Sequence, residues 1–299
     1  MDSIETTNPR PNAWGRWGPE DEAGALNLIG AEQVKRAAAL VRTGEVIRLA
    51  QPLSHKAPVP RHRSGLQHFM GRDGGDYAAG AKRPGGFQFA EDTVVMPLHI
   101  GTHIDALCHA WCDEKMFNGY RETTMRSTSG ATRLGVEKMP PAFTRGLLID
   151  SVKLRGRTLQ SGEVVSRQDI EVCLAQKGLR IEPGDAVLLH TGWLAAQINN
   201  PDIDFNSEPG IDYEAGLWLA QQDVALIGAD NFAVEVLPFA SGTVFPVHQC
   251  VIRDFGIPLL EGLMLEPLVR TGRVEFLFVA AALPIVGATG SPLTPLAVL

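Results

Sequence analysis

The chain has 299 residues, of which 44% are hydrophobic and 20% charged; this excludes a disordered or fibrous protein and allows a sizeable buried core. Its net charge of −7 argues against nucleic acid or an anionic membrane as partner. Cysteines 108, 112, 173 and 250 form no C-x-x-C pair, so reduced, buried thiols are expected rather than a disulfide framework or a cysteine zinc site.

Residues 1–11 read as a loose arm with neither the basic start nor the apolar core of a secretory signal. An Ala-rich stretch, 31–41, predicts a helix, and 45–49 an extended segment. From 52 to 86 the chain is rich in Gly and Pro and carries several Arg and Lys with His55, His62 and His68. Irregular chain of that length in a compact domain predicts a lid or a poorly ordered loop. Residues 92–100 predict a strand and 121–132 a Ser/Thr-rich loop. Arg145–Asp150 and Asp185–His190 read as short buried strands, the second after the turn-former Pro183-Gly184. Between them, Ser166 and Asp169 have the spacing of a capping box, opening a helix that ends near Gly178. Tyr213–Gln222 reads as a helix, 224–228 as a strand, 248–255 as a helical turn or two, and 258–263 as a strand. The most apolar strand, 274–283, is expected to be the last. The run 276–288 is too short to span a bilayer and is interrupted by Pro284, so a cytoplasmic protein with no membrane partner is expected. Alternating helices and buried strands without a composition break predict a single α/β domain, 1–299, with a mixed, mostly buried β-sheet flanked by helices.

The densest chemistry lies in Leu98–His109, where His99, His103, Asp105 and His109 fall within eleven residues. Imidazole and carboxylate are the common ligands of a borderline divalent cation. One straight strand would hold residues 99 and 109 roughly 33 Å apart. One helix would turn Asp105 roughly 200° away from His103. A break at Gly101-Thr102 resolves this: His103 and Asp105 project from a short extended piece, and His99 returns from the strand before it. A helical turn after Asp105 would then bring His109 to the same side. Asp105 sits centrally, able to bridge two ions or to tie one histidine to another. No Gly-x-Gly-x-x-Gly, Walker-type or Gly-x-Ser-x-Gly motif occurs, which argues against a nucleotide cofactor or a serine nucleophile.

The pattern His-x-Gly-Thr-His-x-Asp-x-x-x-His resembles the signature of the cyclase family of metal-dependent hydrolases, which includes kynurenine formamidase and isatin hydrolase. Arg16-Trp17-Gly18-Pro19-Glu20-Asp21-Glu22-Ala23-Gly24-Ala25-Leu26-Asn27, the run Gly184–Trp193 and the segment from His248 to Glu261 extend the likeness over most of the chain. Many shorter members carry proline two residues after the aspartate. Leu107 stands there here, and with the opening Trp-Gly segment it suggests a longer branch whose substrates are less defined. The resemblance implies a swivelling β/β/α fold and one or two divalent ions, Zn2+ or Mn2+. It also implies a homodimer or homotetramer acting on a small molecule.

His99, His103 and Asp105 would hold an ion with positions open for water and substrate, and hydroxide generated there would attack a carbonyl. By the resemblance His248 is the proton carrier, and Glu261, a carboxylate in an apolar strand that needs a partner, would serve a second ion with His109 and be the catalytic base should His248 be a ligand. The expected reaction is hydrolysis of a C–N or C–O bond in a small, cyclic substrate: an amide, arylformamide-type amide, imide or lactone. A non-haem iron oxygenase with the triad His103, Asp105 and His248, or a non-catalytic metal-binding protein, is the alternative. Specificity would lie in 52–86, in 232–245 and in Trp14, Trp17 and Trp111. His190 is left outside the chemistry, as a residue that ends an apolar strand.

Overall fold

Val187, Leu188 and Leu189, like Leu147, Leu148 and Ile149, have no room for solvent on either face, and the strands that carry them form the middle of a nine-stranded sheet. The computed structural model describes residues 10–81, 83–198, 200 and 202–299. In chain order the strands are β1 (Val46–Arg48), β2 (His103–Asp105), β3 (Ala142–Asp150), β4 (Ala186–His190), β5 (Leu226–Ala229), β6 (Leu259–Glu261), β7 (Glu275–Ala280), β8 (Gly290–Pro292) and β9 (Leu296–Val298). Their order across the sheet is β1-β9-β7-β3-β4-β5-β6-β2-β8. β3 to β6 are parallel neighbours, and every other pairing is antiparallel. Parallel strands need crossovers, and helices Arg167–Ala175 and Tyr213–Gln221 supply two of them. The mixed α/β sheet is therefore as expected from the alternation of apolar runs and helical segments.

Ser166 caps its helix as the sequence implies: its side chain accepts from the Asp169 N–H, and Asp169 answers to the Ser166 N–H. Replacing this cap, Ser166→Ala, should cost about 1 kcal/mol in urea denaturation, with the midpoint shifted and the slope unchanged.

Four details differ from the sequence reading. The strand before the metal motif, Glu91–Val95, ends early and pairs with Gln67–Arg72 in an exposed hairpin outside the main sheet. That hairpin and the short helix Gly74–Ala78 give order to the 52–86 stretch. No helix follows Asp105; a turn closed by the His109 N–H on the Ala106 carbonyl returns the chain instead. β7 is not the last strand, since β8 and β9 follow, both too short to show a period. Of the expected arm, 1–9 lie outside the described residues, while Arg10 donates to Gln249 Oε1 at 3.0 Å. Among the described residues, no helix is long and apolar enough to cross a membrane.

Candidate metal centre

β2 lies between β6 and β8, with His103 opposite Glu261 and Asp105 opposite Gly290. This register brings two residues from just past the first third of the chain beside two from its last third. The missing side chain at Gly290 matters: a Cβ there would sit 2.6 Å from Cε1 of His99. Gly101, the expected break, has φ of +56°, and a Cβ on it would fall 2.5 Å from Leu53 Cδ2. Glycine alone makes that turn without strain, and the turn brings His99 back over the strand.

His99 Nδ1 lies 2.8 Å from Asp105 Oδ1, and its Nε2 lies 3.1 Å from Thr289 Oγ1. His103 Nδ1 donates to the Gly101 carbonyl at 3.0 Å. Its Nε2, fully buried, is 3.0 Å from Glu261 Oε2 and 3.8 Å from Asp105 Oδ1. His248 Nδ1 lies 2.5 Å from Glu235 Oε1, and its Nε2 is 3.4 Å from Glu261 Oε1 and 3.8 Å from Asp105 Oδ2. His109 Nε2 is 3.9 Å from Asp105 Oδ2, and 29% of its side chain is exposed. The ligand atoms of His99, Asp105 and His109 lie within 4.8 Å of one another, and so do those of Asp105, His248 and Glu261. All five residues expected to bind metal, together with His248, thus meet at one place, with Asp105 in both groups.

The donor and acceptor pattern states what the place is for. Because Nδ1 of His103 gives its proton to a carbonyl, the neutral ring turns the lone pair of Nε2 toward two carboxylates. Among the described residues, neither this Nε2 nor Asp105 Oδ2 finds a hydrogen-bond partner. Lone pairs that face one another across 3.0 and 3.8 Å repel unless a cation lies between them, so the donor set fits a divalent metal ion. A proton can compete for the same position. Burial opposes protonation of His103 and His248, yet Glu261 acting on the first, and Glu235 with Glu261 on the second, outweigh it; His248 is pushed up to about 10. Burial likewise favours the neutral acid at Asp105, but His109, His99 and His103 hold it well below the usual carboxylate range. For His109, burial wins and its pKa falls to about 4.

The cysteines stay out of this chemistry. Burial pushes Cys108 and Cys250 up to about 12 and Cys173 to about 11, so none is a thiolate at neutral pH, and Cys112 is raised as well.

Above the centre opens a cavity of about 980 Å³ with His109, His248 and Glu261 on its wall. Pro60 to Arg63 of the 52–86 stretch line it, as do Trp111 and several residues of 232–245. Arg63 Nη1 also donates to the His99 carbonyl at 2.6 Å, tying the stretch to the metal motif. Trp14 and Trp17, expected here, do not line it: the Trp14 indole N–H donates to the Arg253 carbonyl at 2.8 Å, and its ring lies under that guanidinium. Residues 202–206, which carried no sequence signal, form another side, with Phe205 against Phe232. Glu235 and Thr289 were missed too. Glu235 sits in the apolar run Ala233-Val234-Glu235, the same sign of a buried, partnered carboxylate that marked Glu261.

A family model described as a putative cyclase matches residues 47–236. A crystal structure described as a novel cyclase is 37% identical, covers 97% of this chain and 100% of its own, and superposes with a TM-score of 0.89. Isatin hydrolase A from Ralstonia solanacearum is 22% identical over 89% of this chain and 95% of its own, at a TM-score of 0.62. An isatin hydrolase bound to the product analogue thioisatinate is 20% identical over 91% and 99%, at 0.65. The curated proteins contain no match. The family match over most of the sheet and the 37% identical relative over nearly the whole chain converge on one conclusion: this chain belongs to the putative cyclase family.

Proposed function

We propose that this protein is a metal-dependent hydrolase that opens an amide, imide or lactone bond in a small, cyclic substrate. The observation that carries the reading is the meeting of His103 Nε2, Asp105 and Glu261, acceptors all, at the foot of an aromatic-walled cavity. An ion held by these residues would lower the pKa of a bound water toward neutrality and polarise a carbonyl. The isatin hydrolases that share the fold offer a precedent in a cyclic amide.

His99, His103, Asp105 and Glu261 would hold the ion, with Asp105 and Glu261 shared by a second position. The proton carrier was assigned to His248 by resemblance, but its surroundings favour the role of ligand. Glu235 accepts from both its backbone N–H and its Nδ1, the usual support of a metal-binding imidazole, and fixes Nε2 on the carboxylates. Of the two imidazoles on the cavity wall His109 is the more open, with 29% of its side chain exposed against 6% for His248, and we assign it the proton taken from water and passed to the leaving group. An oxygenase with the triad His103, Asp105 and His248 belongs on an all-β double barrel, not on a sheet with a parallel centre.

The proposal extends to a cytoplasmic homodimer or homotetramer. Phe69, Met70, Val94 and Val95, exposed on the hairpin, are the kind of surface such an assembly covers. The experiment is metal analysis followed by a screen of cyclic amides and lactones in 18O-labelled water. Labelled oxygen should appear in the product carboxylate, and a trapped acyl-enzyme on Ser or Cys would overturn the mechanism.

A further inference from the structure

The carboxyl ends of the parallel strands carry a second set of ligand-type side chains that the Asp105 centre does not use. Asp150 ends β3, His190 ends β4, Asp230 follows β5, and Glu266 opens the helix Glu266–Arg270 after β6. Register makes them neighbours, since Asp150 pairs with His190, and Leu189 with Ala229 just before Asp230. Such edges are where open α/β sheets gather ligands.

His190 is buried, and its Nδ1 lies 2.9 Å from Asp150 Oδ1. With Nδ1 donating, the lone pair of Nε2 faces Glu266 Oε1 at 3.7 Å and Asp230 Oδ2 at 4.0 Å, too far for hydrogen bonds. The ligand atoms of His190, Asp230 and Glu266 all lie within 4.8 Å of one another. Both carboxylate oxygens of Glu266 are buried and, among the described residues, accept no hydrogen bond. Asp230 is held rigidly by the Thr191 N–H and hydroxyl on Oδ1 and the Gly192 N–H on Oδ2, which leaves Oδ2, the oxygen nearer His190 Nε2, a free lone pair.

Protonated His190 is the competing explanation. Asp150 and Glu266 favour that form and push its pKa up to about 10 against the effect of burial. One imidazolium still faces three carboxylates, and among the described residues no Lys or Arg pairs with any of them. Excess negative charge in a largely buried site calls for a further cation.

We propose that His190, Asp230 and Glu266 bind a divalent cation, Mn2+ or Zn2+, with Asp150 orienting the imidazole. One imidazole and two carboxylates suit those ions. The site is structural: Asp230 also fixes the Thr191–Gly192 turn that opens the helix Trp193–Gln197, and Trp193 packs edge-on against Phe205 and Phe232 of the cavity wall.

The test is equilibrium dialysis of the full chain against Mn2+, read by atomic emission and electron paramagnetic resonance. The Asp105→Ala protein should retain about one ion per chain, and Asp105→Ala combined with Glu266→Gln or with His190→Ala should retain none. Mn2+ should raise the Tm of Asp105→Ala by about 3 °C and leave the double variants unchanged. Glu266→Gln alone, with the Asp105 centre intact, should bind about one ion fewer than the unaltered protein, which keeps the test decisive if Asp105→Ala fails to fold. An ion content that Glu266→Gln does not change, or a folded Asp105→Ala that binds none, would show an imidazolium–carboxylate network and overturn the proposal.

Discussion

Asp105→Ala is expected to empty the centre between β2 and β6 of its ions and to bring hydrolysis below detection while the fold survives. The reason is position. Asp105 Oδ1 serves the side of His99 and His103, and Oδ2 faces His109 and His248, so one substitution removes a shared ligand. On the proposed function the ions would supply both nucleophile and Lewis acid, so losing them would remove both at once. Measured in the Glu266→Gln background, where the second cluster no longer contributes, metal should fall to under about a tenth of its starting value. Far-UV circular dichroism should stay unchanged, because Asp105 has no part in the apolar core. Unchanged metal content would place the centre elsewhere.

The second large effect separates two imidazoles. His109→Gln is expected to keep its metal and lose at least about 100-fold in kcat, because a neutral amide cannot accept the proton from water. The acid limb of its pH–rate profile should flatten, since in the parent that limb is the loss of the unprotonated ring. His248→Ala should lose metal and activity in proportion, as befits a ligand whose other nitrogen is fixed by Glu235. If His248→Ala instead keeps its metal and loses only turnover, the two roles are reversed and His248 is the proton carrier, as the resemblance first implied.

The sheet was legible wherever an apolar run could only be buried: Leu148, Leu188 and Ile227 announce strands by their apolar neighbours on either side. The metal motif was legible because its ligands crowd into a few positions around Gly101. Its assembly was not. Nothing in the spacing shows that β2 adds to the sheet between β6 and β8, or that a turn rather than a helix returns His109, because register and closure are tertiary facts. Glu235 and the cluster at His190 show a different loss. A lone carboxylate or imidazole in an apolar run says that a partner exists without saying which one; the adjacency of β3, β4 and β5 names it for His190, and the helical turn at His248 names it for Glu235.

β2 has only three residues and is held to β6 through two paired positions. So short a ladder adds little cohesion of its own, yet it joins residues some 150 positions apart, where chain entropy works hardest against contact. An ion gripped by His103 and Asp105 on one strand and Glu261 on the next would therefore be a clasp as much as a reagent. A chain that lost it would keep its sheet but hold that edge more loosely, and would be at once easier to unfold and unreactive.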